Sequence, residues 1–149
     1  MAEGPARDLP RSILFMCGMN AVRSPMAEVE ARSLLPPHVY LASAGVRKGE
    51  RDPFVDAVLA EDGLAIPDWR PRILAELEDD YFELIITLAP EAHHAALELT
   101  RSLAVEVEYW PMPDPTVATG SRERIMDAYR AVRERIKSRL RERFGPARE

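Results

Sequence analysis

Short apolar runs alternate along this chain with longer stretches whose apolar residues recur every three or four positions. Four runs, Ser12 to Met16, Val39 to Ser43, Leu84 to Leu88 and Val105 to Trp110, have the length and residue types of strands. The first and third are almost continuously apolar, as strands are when a parallel sheet is covered on both faces. Met26 to Leu34, Pro53 to Asp62 and Glu91 to Leu99 have helical features, and Ser24-Pro25 is predicted to cap and open the first of these helices. Ile125, Tyr129, Val132, Ile136 and Leu140 make one apolar stripe on a last helix from about Ser121 to Arg143. Strands alternating with helices predict an α/β fold: one doubly wound domain over residues 1–149, with a four-stranded parallel sheet and helices on both faces. Residues 1–10 are expected to be a flexible N-terminal extension. Val46 to Pro53 and Pro111 to Thr116 are expected to be surface loops. In such sheets ligands bind beyond the carboxyl ends of the strands, so the residues that follow each run matter most.

Composition narrows the picture by exclusion. A chain of 149 residues, 46% hydrophobic, can fill one core. Its net charge of −5 lacks the basic excess of a protein that covers nucleic acid, and no nucleic-acid partner is expected. The charge is uneven: residues 121–149 carry 10 Lys or Arg against 5 Asp or Glu, and the rest carries 10 against 20. We read the basic tail as a solvated helix face interleaved with Glu. No run reaches the ~18 apolar residues of a membrane span, and no signal peptide is evident, so no membrane partner is expected. The single cysteine excludes an internal disulfide and a cysteine-rich metal site, and suits the reducing cytoplasm. No metal or other cofactor is expected.

Candidate chemistry is concentrated in Cys17-Gly18-Met19-Asn20-Ala21-Val22-Arg23-Ser24, which starts where the first strand ends and finishes where the first helix begins. A short loop in that position turns backbone N–H groups inward, and the positive end of the helix dipole adds to the same spot, making an anion cradle. The dipole and the Arg23 guanidinium favour Cys17 as a thiolate, the nucleophilic form. Arg23 offers a fork of donors that holds two oxygens of a tetrahedral anion at once, which a lysine cannot do. Ser24 is placed to offer its hydroxyl to the sulfur, and Asn20 to pin the loop through backbone bonds. Asp114, on the loop after the last strand, is a candidate proton donor, because that loop is expected to emerge beside the first strand's. Its plainer role is turn chemistry with Pro115.

Other residues carry weaker signals. His93 and His94 point about 100° apart on a helix, with no partner spaced for a metal, and are expected to be exposed or partly packed. Trp69, Tyr109 and Trp110 are expected in core or rim packing, with Trp110 also placed to line a substrate mouth. Arg70 and Arg72 stand in a proline-flanked loop that either approaches the site or is solvated.

The run Ile13 to Cys17, then Asn20, Arg23-Ser24-Pro25-Met26-Ala27-Glu28, Ser43-Ala44-Gly45 after the second strand and Asp114-Pro115 together resemble the low-molecular-weight protein tyrosine phosphatase superfamily. The resemblance implies a metal-independent hydrolase of phosphate monoesters that works through a phosphocysteine. It implies Cys17 as nucleophile, Arg23 as phosphate clamp, Asp114 as general acid, and Asn20, Ser24 and Ser43 as hydrogen-bonded support of the loop. A phosphoprotein or small phosphate monoester would be the substrate, and inorganic phosphate or another oxyanion a ligand. The sequence departs from the family pattern at three places: Met19 stands where the family usually has Gly, Val22 where many members have a second cysteine, and Thr116-Val117 where tyrosine-specific members carry Tyr. Ala118, Gly120, Arg130, Arg133 and Ile136 after Asp114-Pro115 resemble the arsenate reductases of the same superfamily. With one cysteine, arsenate reduction would need an external thiol. A non-catalytic oxyanion-binding module is the further alternative.

Overall fold

The computed structural model describes residues 9–66, 71–77 and 81–145. Residues 1–8 of the expected extension, and Trp69 and Arg70, lie outside the described residues.

Strands β1 (Ser12–Cys17), β2 (Tyr40–Gly45), β3 (Leu84–Thr87) and β4 (Glu106–Tyr109) pair in parallel in the order β2-β1-β3-β4. Helices α1 (Arg23–Leu34), α2 (Pro53–Glu61), α3 (Pro90–Leu99) and α4 (Arg122–Phe144) complete the α/β architecture. The side-chain period of two splits β1 between two cores. Ile13, Phe15 and Cys17 face the larger core with residues of α1, α2 and α4, whereas Leu14 and Met16 face Ala92 and Ala96 of α3. Helices therefore cover both faces, and β1 and β3 are buried along almost their whole length, as their apolar runs require.

β2 runs two residues beyond the expected end and takes in Ala44 and Gly45. The run of small residues gives no strand signal, but β1 supplies pairing partners as far as Cys17↔Gly45. Asp52 caps α2 through Phe54 N–H, and Ser121 caps α4 through Arg124 N–H, each as the local residue order suggests. Ser24 does not cap α1: the helix begins at Arg23, its N-cap position is Val22, and no side-chain cap is made there. The stripe of α4 also contains one charged member. Arg133 is buried because its guanidinium donates to Val58 O at 2.8 Å and to Glu61 Oε1 at 2.7 Å. Hydrogen bonds from Arg130, and next from Arg133, hold the Glu61 carboxyl down to about 2.

Candidate active site

The loop of residues 17–23 is shaped from behind by the segment after β2. Val46, Arg47 and Gly49 donate their N–H groups to Cys17 O, Gly18 O and Met19 O at 3.2, 2.8 and 2.8 Å. A trans peptide sets C=O and the next N–H on opposite sides, so the amides of Gly18, Met19 and Asn20 point away from that segment. Gly45 permits the close approach: a Cβ there would lie 2.6 Å from Asn20 N and 2.7 Å from Met19 C. Asn20 takes φ 52°, the left-handed region that Asn tolerates better than most residues.

Asn20 is then fixed from both ends of its amide. Arg72 N–H donates to Oδ1 at 2.9 Å, which leaves Nδ2 to donate to Ser24 Oγ at 2.9 Å. Ser24 Oγ lies 3.0 Å from Cys17 Sγ and 3.5 Å from Ala44 O. With a lone pair already taken by Asn20, the hydroxyl proton has the sulfur as its nearer acceptor. Ser24 N–H, in the first turn of α1, also points at Cys17 Sγ from 3.4 Å. The serine read as a helix cap is thus drawn from that job by the sulfur.

Cys17 is buried, yet with Met19, Ala21, Val22, Arg23, Asp114 and Thr116 it lines a cleft of about 80 Å³. That is the room of two or three bulk waters, enough for a small anion. Arg23 reaches across to donate from Nη1 to Met112 O at 3.0 Å, which ties the loop after β4 to the cradle. Asp114 is exposed, and its Oδ1 accepts from Thr116 N at 3.0 Å and from Thr116 Oγ1 at 2.7 Å. It therefore makes the turn and faces the cleft at once. Its loop does not emerge beside that of β1, because β3 separates the two strands. The loop comes back over β3, with Met112 N–H donating to Leu88 O at 3.1 Å. Beneath it, Tyr129 donates to Asp52 Oδ2 at 2.6 Å. Burial, then the bond to Asp52, and the charges of Asp52 and Asp114 raise the Tyr129 hydroxyl above its usual range.

Ser43 lies within β2 rather than after it, and supports the loop at one remove. Its hydroxyl donates to Glu28 Oε1 at 2.7 Å, and its carbonyl accepts from Arg72 Nε at 3.1 Å. Arg72 approaches the site, with its carbonyl also accepting from Gly45 N–H at 2.8 Å. Those backbone contacts have no signature in sequence, and neither do the space-making roles of Gly45 and Gly49. Glu28 was legible only as a motif letter. Trp110 is not at the mouth: it is 2% exposed, donates to Glu108 Oε1 at 3.1 Å and packs under Arg139 and beside Phe144. His93 stacks on Tyr109 and meets Thr87 Oγ1 at 2.9 Å through Nδ1, which is partial packing of the kind expected.

Comparison with known proteins places this geometry among relatives. The family model described as low molecular weight phosphotyrosine protein phosphatase matches residues 12–146. An arsenate reductase of Bacillus subtilis (strain 168) is 28% identical over 130 residues, which cover 87% of this chain and 92% of the relative. The crystal structure of an arsenate reductase from Archaeoglobus fulgidus superposes with a TM-score of 0.70 at 30% identity, covering 89% of this chain and 98% of that one. A tyrosine phosphatase of Erwinia amylovora, AmsI, has the same fold with a TM-score of 0.72 at 21% identity, covering 90% of this chain and 91% of that one.

Proposed function

The chain belongs to the low molecular weight phosphotyrosine protein phosphatase family, and on that premise we propose that it hydrolyses phosphate monoesters through a phosphocysteine. The observation that carries this reading is the Cys17 sulfur, approached at 3.0 Å by the Ser24 hydroxyl and lining one cleft with Arg23 and Asp114.

The Cys17 thiolate attacks phosphorus in line, forming the S–P bond while the P–O bond to the leaving group breaks. Amides of Gly18, Met19, Asn20, Ala21 and Val22, with the Arg23 guanidinium, hold the non-bridging oxygens where charge spreads in the transition state. Arg23 keeps enough of its five donors for this while one serves Met112 O. Asp114 gives its proton to the leaving oxygen. As a carboxylate it next takes a proton from water, whose oxygen attacks phosphorus and expels Cys17 as thiolate. The Ser24 hydroxyl stabilises the departing sulfur, and Asn20 and Ser43 hold the arrangement. The substrate is a phosphoprotein or small phosphate monoester, and inorganic phosphate is the product. We place the protein in the cytoplasm, where an unpaired thiol stays reduced.

Stopped-flow assay with p-nitrophenyl phosphate tests the scheme. We expect a burst of nitrophenolate, inhibition by vanadate, and a fall of at least about 10³-fold in Cys17→Ser. Wild-type rates in that variant would sink the proposal.

A second reading is favoured by two of these relatives: those from Bacillus subtilis and Archaeoglobus fulgidus are arsenate reductases. Arsenate has the same tetrahedral shape, but these 149 residues contain one cysteine, so an external thiol would have to reduce the Cys17–arsenic adduct. Arsenite released from arsenate and glutathione, without aryl phosphate hydrolysis, would favour it.

A further inference from the structure

We propose that the cavity between α1, the end of α2 and α4 binds a free apolar amino acid as its zwitterion, taking the ammonium at Glu30 and Asp62, the carboxylate at Arg141 and the side chain against leucines. The site shares no lining residue with the Cys17 cleft and stands independently of the hydrolase reading.

The cavity holds about 240 Å³, the room of about eight bulk waters and enough for one small amino acid. Leu34, Leu64 and Leu140 give it an apolar wall. Glu30 of α1 lines it with a carboxyl that is 4% exposed, and among the described residues no donor reaches its Oε2. A buried acceptor left in that state costs free energy until a donor arrives. Asp62, the C-cap residue of α2, stands beside Glu30 and shares a proton with it, because burial, the hydrogen bond with Asp62 and the Asp62 charge raise the Glu30 carboxyl to about 8.

Charges on α4 restrict what can enter. Lys137 Nζ is held by Asp62 Oδ2 at 3.1 Å and by Glu134 Oε2 at 3.6 Å, and Arg133 Nε lies 3.7 Å from Asp62 Oδ2. Arg141, one turn beyond Lys137, lines the same cavity, and its guanidinium has no hydrogen-bond or ion-pair partner among the described residues. A plain amine would answer the two acids but be repelled by Lys137, Arg133 and Arg141, whereas a plain carboxylate would answer Arg141 but face Asp62. A zwitterion answers both, and its apolar body covers the leucines. As the ammonium enters, the proton shared by Glu30 and Asp62 leaves to solvent, so charge is conserved and both carboxylates meet the cation.

Calorimetry of the whole chain with L-leucine near neutral pH, in buffers of different ionisation enthalpy, tests the site. We expect one leucine per chain and release of about one proton. Isoamylamine, which lacks the carboxylate, and isocaproate, which lacks the amine, should each bind at least about tenfold more weakly. Arg141→Gln, at an exposed position, should weaken leucine about tenfold without weakening isoamylamine. Glu30→Gln should weaken leucine by a similar factor and abolish the proton release. Failure of the wild type to bind millimolar leucine, equal binding of isoamylamine or isocaproate, leucine binding undiminished in Arg141→Gln, or proton release that survives Glu30→Gln overturns the proposal.

Discussion

Helix α1 buries polar side chains near both ends, and the two ends are wired differently. At its start, Ser24 joins Asn20 and Cys17 through bonds of 2.9 and 3.0 Å, all three residues buried. One turn further on, Glu28 is answered by the Ser43 hydroxyl and by Arg32. Toward the other end, Glu30 is 4% exposed, and among the described residues no donor side chain reaches its Oε2. It faces Asp62, with Lys137 and Arg133 of α4 nearby. Burial first, and then the hydrogen bond and charge of Asp62, push the Glu30 carboxyl up to about 8, while Lys137 and Arg133 pull it partly back. Burial alone would also raise Asp62, but the bonds from Glu30 and Lys137 and the positive charges beside it hold it below the usual carboxylate range. Near neutral pH the pair shares one proton. Directional hydrogen bonds fix a geometry, which is what the proposed anion site needs. A carboxyl pair with one buried member fixes a protonation state, which makes that end of α1 sensitive to pH.

The contrast can be broken at either end. The largest effect is expected from Arg23→Lys, which keeps the charge but loses the planar fork: kcat/KM on an aryl phosphate should fall about 10³-fold with the folded state intact by circular dichroism. A loss of less than tenfold would show that the fork is dispensable. Ser24→Ala should slow breakdown of the phosphocysteine more than its formation, by about tenfold to a hundredfold. Rapid quench should therefore catch more trapped intermediate, and urea should reveal a stability change of only about 1 kcal/mol. Gly45→Ala drives a Cβ into the backbone of Met19 and Asn20 and should cost about 2 to 3 kcal/mol in urea melts together with most activity. Retention of both would mean that the loop yields more readily than its contacts imply.

The smallest effect belongs to the distant end. Because the folded state holds the Glu30 proton up to about pH 8 and the unfolded chain releases it near 4.5, folding binds protons between those values. Stability should therefore fall as pH rises through that window, and the cost should disappear as pH drops toward 4.5. Glu30→Gln should flatten the slope between pH 5 and 8 and leave aryl phosphate turnover at one pH within about twofold. A slope that survives the substitution would assign it to other groups.

Much of the fold was legible because its signals are local. The apolar runs of β1 and β3 must be buried on both faces, and the spacing of Tyr129, Val132, Ile136 and Leu140 leaves one face of α4 to bury. Arg133 escaped that logic, since a guanidinium is tolerated inside only where Val58 O and Glu61 await it. Trp110 was misplaced for a related reason: closeness to Asp114 in sequence says nothing about which way a side chain turns at the end of a strand.

By itself the sequence determined the order of strands and helices, the strand-to-helix position of Cys17 through Ser24, and the solitude of the thiol. These depend on residue type and on spacing over a few positions, where chain geometry leaves little choice. Only the tertiary structure decided that Ser24 serves the sulfur rather than the helix end, that Arg72 holds Asn20, and that the Asp114 loop crosses β3 to reach the cleft. Those outcomes rest on contacts between residues 7 to more than 50 positions apart, and a hydrogen bond chooses its partner by distance and direction, which exist only once the sheet has set its register.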